Sequence, residues 1–230
     1  MTKKAFIAGT PYAAPYTLPE TVNDIANWQT TLASRGFTSI ITKKTAIETT
    51  RANLRTSLAA FVASLVSGDS AAIILLGHGG QITDTSGDEP DGIDECYVSS
   101  DLLPISDDEI GDLLKKAALG TKIDIVMDYC YAGAPDQPLM PGFARDYPKS
   151  ITPAGLYRSW GACREGEVSY SARSGTKWYS LFSLYLCWAL RAYPAKSAID
   201  LMTLVSGYVT TAMPKQHPVM AGQYIDQVPF

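Results

Sequence analysis

The sequence predicts an α/β sandwich, a mostly parallel central sheet flanked by helices, and three observations lead there. Short apolar runs alternate with segments of helical periodicity, the pattern of repeated strand-helix-strand units. Residues 71–76 are apolar without interruption, as in a parallel strand covered on both faces. At 230 residues, 46% hydrophobic and 18% charged, the chain can bury one sizeable core but is too short for two ordinary domains with long linkers.

Residues 4–9 have the length and apolarity of a first strand, and the proline-containing stretch 10–15 after it is loop. Val22, Ile25, Trp28 and Leu32 recur at helical spacing up to the stop signal Gly36. Residues 39–43 make a short strand, and Leu54, Leu58, Phe61, Val62 and Leu65 mark a second helix ended by Gly68. The apolar strand 71–76 then enters a glycine-rich loop at 77–80. A polar loop over 81–94 follows, with a short strand or hairpin arm at 95–98. Ser106 and Glu109 have capping-box spacing ahead of Ile110, Leu113 and Leu114, so a helix starts there. Residues 122–128 read as another parallel-type strand. Residues 135–153 hold five prolines and little periodicity, which marks a linker. Beyond it the pattern predicts a strand at 157–163, helices at 178–192 and 198–209, and a short last strand at 218–221.

A formal net charge of −4 offers no broad basic surface to a phosphate backbone, so nucleic acid is not an expected partner, whereas basic peptides are. The basic start at Lys3 and Lys4 resembles a signal peptide, but the apolar run breaks at Gly9-Thr10-Pro11. No stretch approaches the roughly 20 apolar residues that cross a bilayer. The expectation is a cytoplasmic chain without a membrane segment. Cys96, Cys130, Cys163 and Cys187 have neither the paired spacing of a zinc site nor a disulfide framework, and Cys187 among Leu184, Leu186 and Trp188 reads as a core thiol.

The chain has only two histidines, and His78 follows an apolar strand. Cys130 follows another, 52 residues later (130 − 78). Ligands of open α/β sheets gather at the C-terminal strand ends, where both residues fall. A thiol is a poor nucleophile until it loses its proton. A neighbouring imidazole takes that proton and later gives it to the leaving amine. The N–H groups of Gly79 and Cys130 are placed to face a developing oxyanion. The plainer alternative is a loop histidine and a buried strand-end thiol.

Longer motifs decide between them. Leu76-Gly77-His78-Gly79-Gly80-Gln81, the acidic segment from Asp84 to Glu95, and Asp128-Tyr129-Cys130-Tyr131-Ala132-Gly133 resemble the metacaspase patterns S-G-H-G-G-Q, D-x-D-G-D-E-x-D-G-x-D-E and D-S-C-H-S-G. Thr21-Val22-Asn23-Asp24 resembles the family's C-V-N-D-A helix, and Gly161-Ala162-Cys163-Arg164-Glu165 its S-A-C-R-D segment. Five motifs stand in the family's order between residues 5 and about 170.

The resemblance implies one caspase-like peptidase domain over residues 1–230. Its large-subunit-like part would cover about 1–134, its linker 135–153, and its small-subunit-like part 154–230. With the first strand starting at about Lys4, no N-terminal recruiting segment is expected. His78 would be the general base and Cys130 the nucleophile of a thioester mechanism that needs no cofactor. Asp24 and Asp128 would line a pocket for an Arg or Lys side chain, because two nearby carboxylates repel unless a cation joins them. Proteins or peptides with Arg or Lys would be the substrates, acted on by a chain that can work as a monomer. Arg145 and Lys149 would be candidate self-cleavage positions. Asp94, Asp107 and Asp108, with Asp136 nearby, match calcium-binding positions of some relatives, although counting from Asp84 or Asp88 gives no EF-hand glycine. The plainer view of these acids is a solvated loop and a helix N-terminus. Leu76, Tyr129 and Tyr131 depart from the family pattern, which leaves a non-catalytic caspase-like regulator as the alternative.

Overall fold

The computed structural model describes residues 2–87, 92–130, 156–164 and 166–230. The chain order is β1 Lys3–Gly9, α1 Thr21–Ser34, β2 Ser39–Lys43, α2 Arg51–Ala63 and β3 Ser70–Leu76. Then come β4 His78–Thr83, β5 Ile93–Val98, β6 Pro104–Ser106, α3 Asp107–Leu114 and β7 Lys122–Asp128. The second part adds β8 Leu156–Gly161, β9 Ser171–Ser174, β10 Lys177–Ser180, α4 Leu181–Ala192, α5 Ala198–Ala212 and β11 Val219–Gly222.

Six strands form the central sheet in the order β11-β8-β7-β3-β1-β2. All pairs are parallel except β11 with β8. The strand before residues 131–155 and the strand after them, β7 and β8, are therefore direct neighbours. The period of two is visible in the core. Ala5 and Ile7, Ala72 and Ile74, and Val126 face a layer built by α1, α4 and α5. Phe6 and Ala8, Ile73 and Leu75, and Ile125 and Met127 face the layer of α2 and α3. Asp124 and Asp128 share the parity of Val126, so β7 directs both carboxylates to the α1/α4/α5 side.

Three expectations are corrected. The glycine-rich segment 77–80 is largely strand: β4 pairs antiparallel with β5, and β5 with β6, in a separate three-stranded sheet. A segment with three glycines and few apolar side chains reads as loop, yet here its backbone pairing carries it. The helix expected from 178 begins at Leu181, because Lys177–Ser180 is the second arm of a hairpin with β9. The capping box is half formed. Ser106 Oγ accepts from Glu109 N–H at 3.2 Å, but the Glu109 carboxylate turns instead to Arg51 at 2.6 Å and Arg55 at 3.3 Å.

Asp124 is held by protein donors on both oxygens. Arg158, fully buried, grips it with two bonds of 2.6 and 2.9 Å, and Trp160 Nε1–H and Phe230 N–H complete the shell at 2.9 and 3.2 Å. Removing one partner of such a pair strands the other charge. Asp124→Ala is expected to cost about 3–5 kcal/mol in urea unfolding. A loss below about 1 kcal/mol would show that the pair is not holding β7 to β8.

Candidate active site

Two neighbouring strand tips set the site. β3 and β7 keep one register from Ser70↔Lys122 to Leu76↔Asp128, an offset of 52 residues (128 − 76). His78 and Cys130 differ by the same 52 (130 − 78), so each stands two residues beyond the last rung on adjacent strands. Gly77 N–H donates to the Asp128 carbonyl at 3.4 Å just past that rung. Both residues open onto a cleft of about 210 Å³ whose walls also include Glu20, Asp24, Asp128 and Ser180. Residues 168–171 form a further wall.

The imidazole is oriented from the loop 10–20. His78 Nε2 lies 2.8 Å from the Tyr16 carbonyl. A carbonyl only accepts, so Nε2 carries the proton and Nδ1 is the basic nitrogen of the neutral ring. The Tyr12 ring packs 4.5 Å from the imidazole, centroid to centroid. Its hydroxyl accepts from His78 N–H at 2.8 Å and donates to the Val98 carbonyl at 2.6 Å. Gly79 sits against the nucleophile: a Cβ there would lie 1.9 Å from the Cys130 carbonyl oxygen and 2.6 Å from the Tyr129 ring. At Gly80 the nearest atom would be 3.5 Å away, an ordinary contact. Burial pushes the Cys130 thiol up, the Ser169 N–H beside the sulfur pulls it down, and the Asp128 charge raises it further. These influences together hold the thiol above its ordinary range, and attack by the sulfur calls for a base.

The two aspartates meet across the cleft floor but differ in their partners. Asp128 accepts Ser169 Oγ–H at 3.2 Å and Ser180 Oγ–H at 2.6 Å on Oδ1. On Oδ2 it accepts Ser183 N–H at 3.2 Å and a short bond from Ser183 Oγ–H. Trp28 Nε1–H in turn donates to Ser183 Oγ at 2.8 Å. Burial raises Asp128 above the usual carboxylate range, and its serine partners oppose that rise. Asp24, 1% exposed, accepts only Ser180 N–H at 2.9 Å on Oδ2, and Oδ1 has no hydrogen-bond partner among the described residues. Burial, then the neighbouring Asp128, push Asp24 up to about 9. A cation reaching Oδ1 would reverse that rise.

Four of the residues expected to act on substrate, His78, Cys130, Asp24 and Asp128, line this one cleft, with Gly79 packed against the Cys130 backbone. Asp94 lies on β5 of the three-stranded sheet, and Asp107 and Asp108 lie at the start of α3; none of the three lines the cleft. Among the described residues no three His, Cys, Asp or Glu side chains are grouped to hold a metal ion. Asp136, Arg145 and Lys149 lie outside the described residues. Sequence reading missed Tyr12, the Tyr16 carbonyl, Ser169, Ser180 and Ser183. The S-x-x-S spacing of Ser180 and Ser183 at a helix start was the one available signal, and it looks like capping.

A strand-end thiol, an imidazole held by the Tyr16 carbonyl and this sheet order are those of a caspase-like domain. The chain belongs to the caspase-domain family, whose sequence profile matches residues 2–227. Metacaspase-7 and Metacaspase-4 of Arabidopsis thaliana are each 35% identical to it over 144 residues, which is 58% of this chain. The chain spans about a third of those relatives' length, 35% and 34%. Among solved structures, a protein from Geobacter sulfurreducens has a TM-score of 0.73 at 21% identity, covering 100% of this chain and 98% of that one. Caspase-1 from Spodoptera frugiperda gives 0.66 at 14% identity, covering 99% and 88%.

Gly79→Ala is expected to displace the Cys130 backbone and slow alkylation of that thiol by iodoacetamide at least about tenfold, since ångström-scale misplacement can cost about 10² in rate. Gly80→Ala is the matched control and should react as wild type. Equal rates for both variants would mean that the close approach is not what places the sulfur.

Proposed function

We propose that the domain is a cysteine endopeptidase that cleaves peptide bonds after Arg or Lys. The observation that carries this reading is the single cleft: it joins the His78–Cys130 pair to two buried carboxylates, and among its described lining residues none is Lys or Arg. His78 Nδ1 takes the Cys130 proton as the sulfur attacks the scissile carbonyl carbon. The oxyanion forms against the N–H groups of Gly79 and Cys130. Collapse breaks the C–N bond, and the imidazolium gives its proton to the departing amine, leaving a thioester. Water, deprotonated by His78, then releases the acid and restores the thiol.

Specificity divides between the aspartates. Asp128 is already served by four donors and acts as an anchored negative field. Asp24 presents Oδ1 to the incoming guanidinium or ammonium, and Ser180 joins the two by giving its N–H to one and its hydroxyl to the other. Protein and peptide substrates with a basic residue before the scissile bond follow. Activation by calcium through Asp94, Asp107 and Asp108 would need ligands beyond these three, and no step above passes through a metal. Turnover in a calcium chelator tests that role: loss that calcium restores supports it, and full activity dismisses an obligatory ion.

Cys130→Ala should reduce turnover of an Arg-ending fluorogenic peptide to background, and unchanged turnover would reject the pair. Asp24→Asn should lower kcat/KM for that peptide about 30-fold or more, the cost of at least about 2 kcal/mol for losing one partner of a buried charge pair. A citrulline-ending peptide, uncharged and of similar shape, should be unaffected. In wild type the Arg preference over citrulline should grow as pH rises toward about 9, where the Asp24 proton is lost. The stability sign is the opposite. Asp24 binds its proton more tightly folded than at its ordinary 3.8, so its contribution is full below about pH 4 and lost as pH rises to about 9. Asp24→Asn should thus melt higher than wild type at pH 8, by at least the roughly 2–4 °C that 1 kcal/mol moves a chain of this size.

A further inference from the structure

The wall of the cleft that runs through Val168, Ser169, Tyr170 and Ser171 has no helix or sheet pairing of its own over residues 166–170. Leu181 N–H donates to the Tyr170 carbonyl at 2.8 Å and Ser171 Oγ–H to Glu20 at 2.6 Å, and the inner side of the wall is held by two residues on the turn between α5 and β11. Gln216 is fully buried and uses both ends of its amide. Nε2–H donates to the Ala162 carbonyl at 2.9 Å and to Ser169 Oγ at 3.4 Å, while Oε1 accepts Tyr170 N–H at 3.0 Å. Next to it, His217 N–H donates to Glu167 Oε2 at 2.9 Å, and its Nδ1 lies 2.7 Å from Glu167 Oε1. Glu167 Oε2 also accepts Arg164 N–H at 3.3 Å, which closes the base of the wall.

What this wall carries makes the attachment functional. Ser169 Oγ donates to Asp128 at 3.2 Å, and the Ser169 N–H stands beside the Cys130 sulfur. A run of bonds therefore passes from Gln216 through Ser169 to the pocket carboxylate. A buried glutamine is costly unless its amide is satisfied, so its place here is defined by the three groups it serves. Aliphatic side chains of similar length would fill the space without holding the wall.

We propose that Gln216 and His217 are positioning residues for substrate: together they clamp the wall 166–171 in the geometry that receives the peptide N-terminal to the scissile bond. The proposal rests on the peptidase reading. Neither residue touches the reacting atoms. Loss of the clamp should raise KM far more than it changes the alkylation rate of Cys130, whose contact with the wall is through the Ser169 N–H.

The experiment compares wild type with Gln216→Met, His217→Leu and His217→Asn on an Arg-ending peptide. Iodoacetamide alkylation of Cys130 is measured in parallel on each folded protein. Gln216→Met should raise KM at least about tenfold, within the roughly 10² range that small misplacement produces, with kcat and the alkylation rate within about threefold of wild type. His217→Leu should shift KM in the same direction. His217→Asn, whose amide can still donate to Glu167, should restore wild-type KM. Unchanged KM in Gln216→Met and His217→Leu would overturn the clamp, as would an alkylation rate that falls in step with kcat/KM. If Gln216→Met fails to fold, the partly exposed His217 pair decides alone: a KM difference between Leu and Asn supports the clamp and its absence refutes it. Wild type that ignores Arg peptides would instead overturn the basic-substrate reading. The variants would then be compared on the best peptide from a library.

Discussion

The register between β3 and β7 is the constraint on which the site depends. A strand advances about 3.3 Å per residue and alternates its faces. A slip of one residue would therefore carry Cys130 away from His78 and turn Asp128 toward the α2/α3 layer. The long apolar sides of both strands prevent that slip, because successive rungs place their paired side chains alternately in two apolar layers. The chemistry thus inherits its precision from burial that has no chemical role.

The same alternation explains how one strand serves stability and function. Asp124 and Asp128 lie four residues apart on one face of β7, and both are buried among apolar neighbours. Asp124 is neutralised by Arg158 and closed off. Asp128 receives only hydroxyl and amide donors, so the local charge is left uncompensated where Asp24 joins it. Such a site is maintained against its own electrostatics by the surrounding core, the usual relation between a binding site and the fold that carries it.

Much of this was legible in the sequence. The scarce His78, the 52-residue spacing and the two apolar strands placed His78 and Cys130 at neighbouring strand tips, and helical periodicity placed α1 with Asp24 on it. What stayed hidden has a physical reason in each case. The strand at His78–Thr83 is held by backbone pairing that leaves no side-chain pattern. The Tyr16 carbonyl acts through the main chain, which any residue type supplies. Gln216 and His217 lie more than 85 residues from Cys130 along the chain, and their role depends on the closing turn after α5 rather than on any local motif. The roles of Ser180 and Ser183 were masked because serine at a helix start has a common explanation.

The adjacency of β7 and β8 has a consequence for chain continuity. They are hydrogen-bonded in parallel from Lys122↔Leu156 to Met127↔Gly161, and α4 is packed into the core with α1. A backbone opened anywhere between Cys130 and Leu156 would therefore leave two fragments gripping each other through a shared sheet and a shared dry layer. Asp24 and Asp128 would come from one fragment, and the serines that hold them from the other. The described contacts that join the two parts are thus non-covalent, spread over a whole strand pair and a core layer.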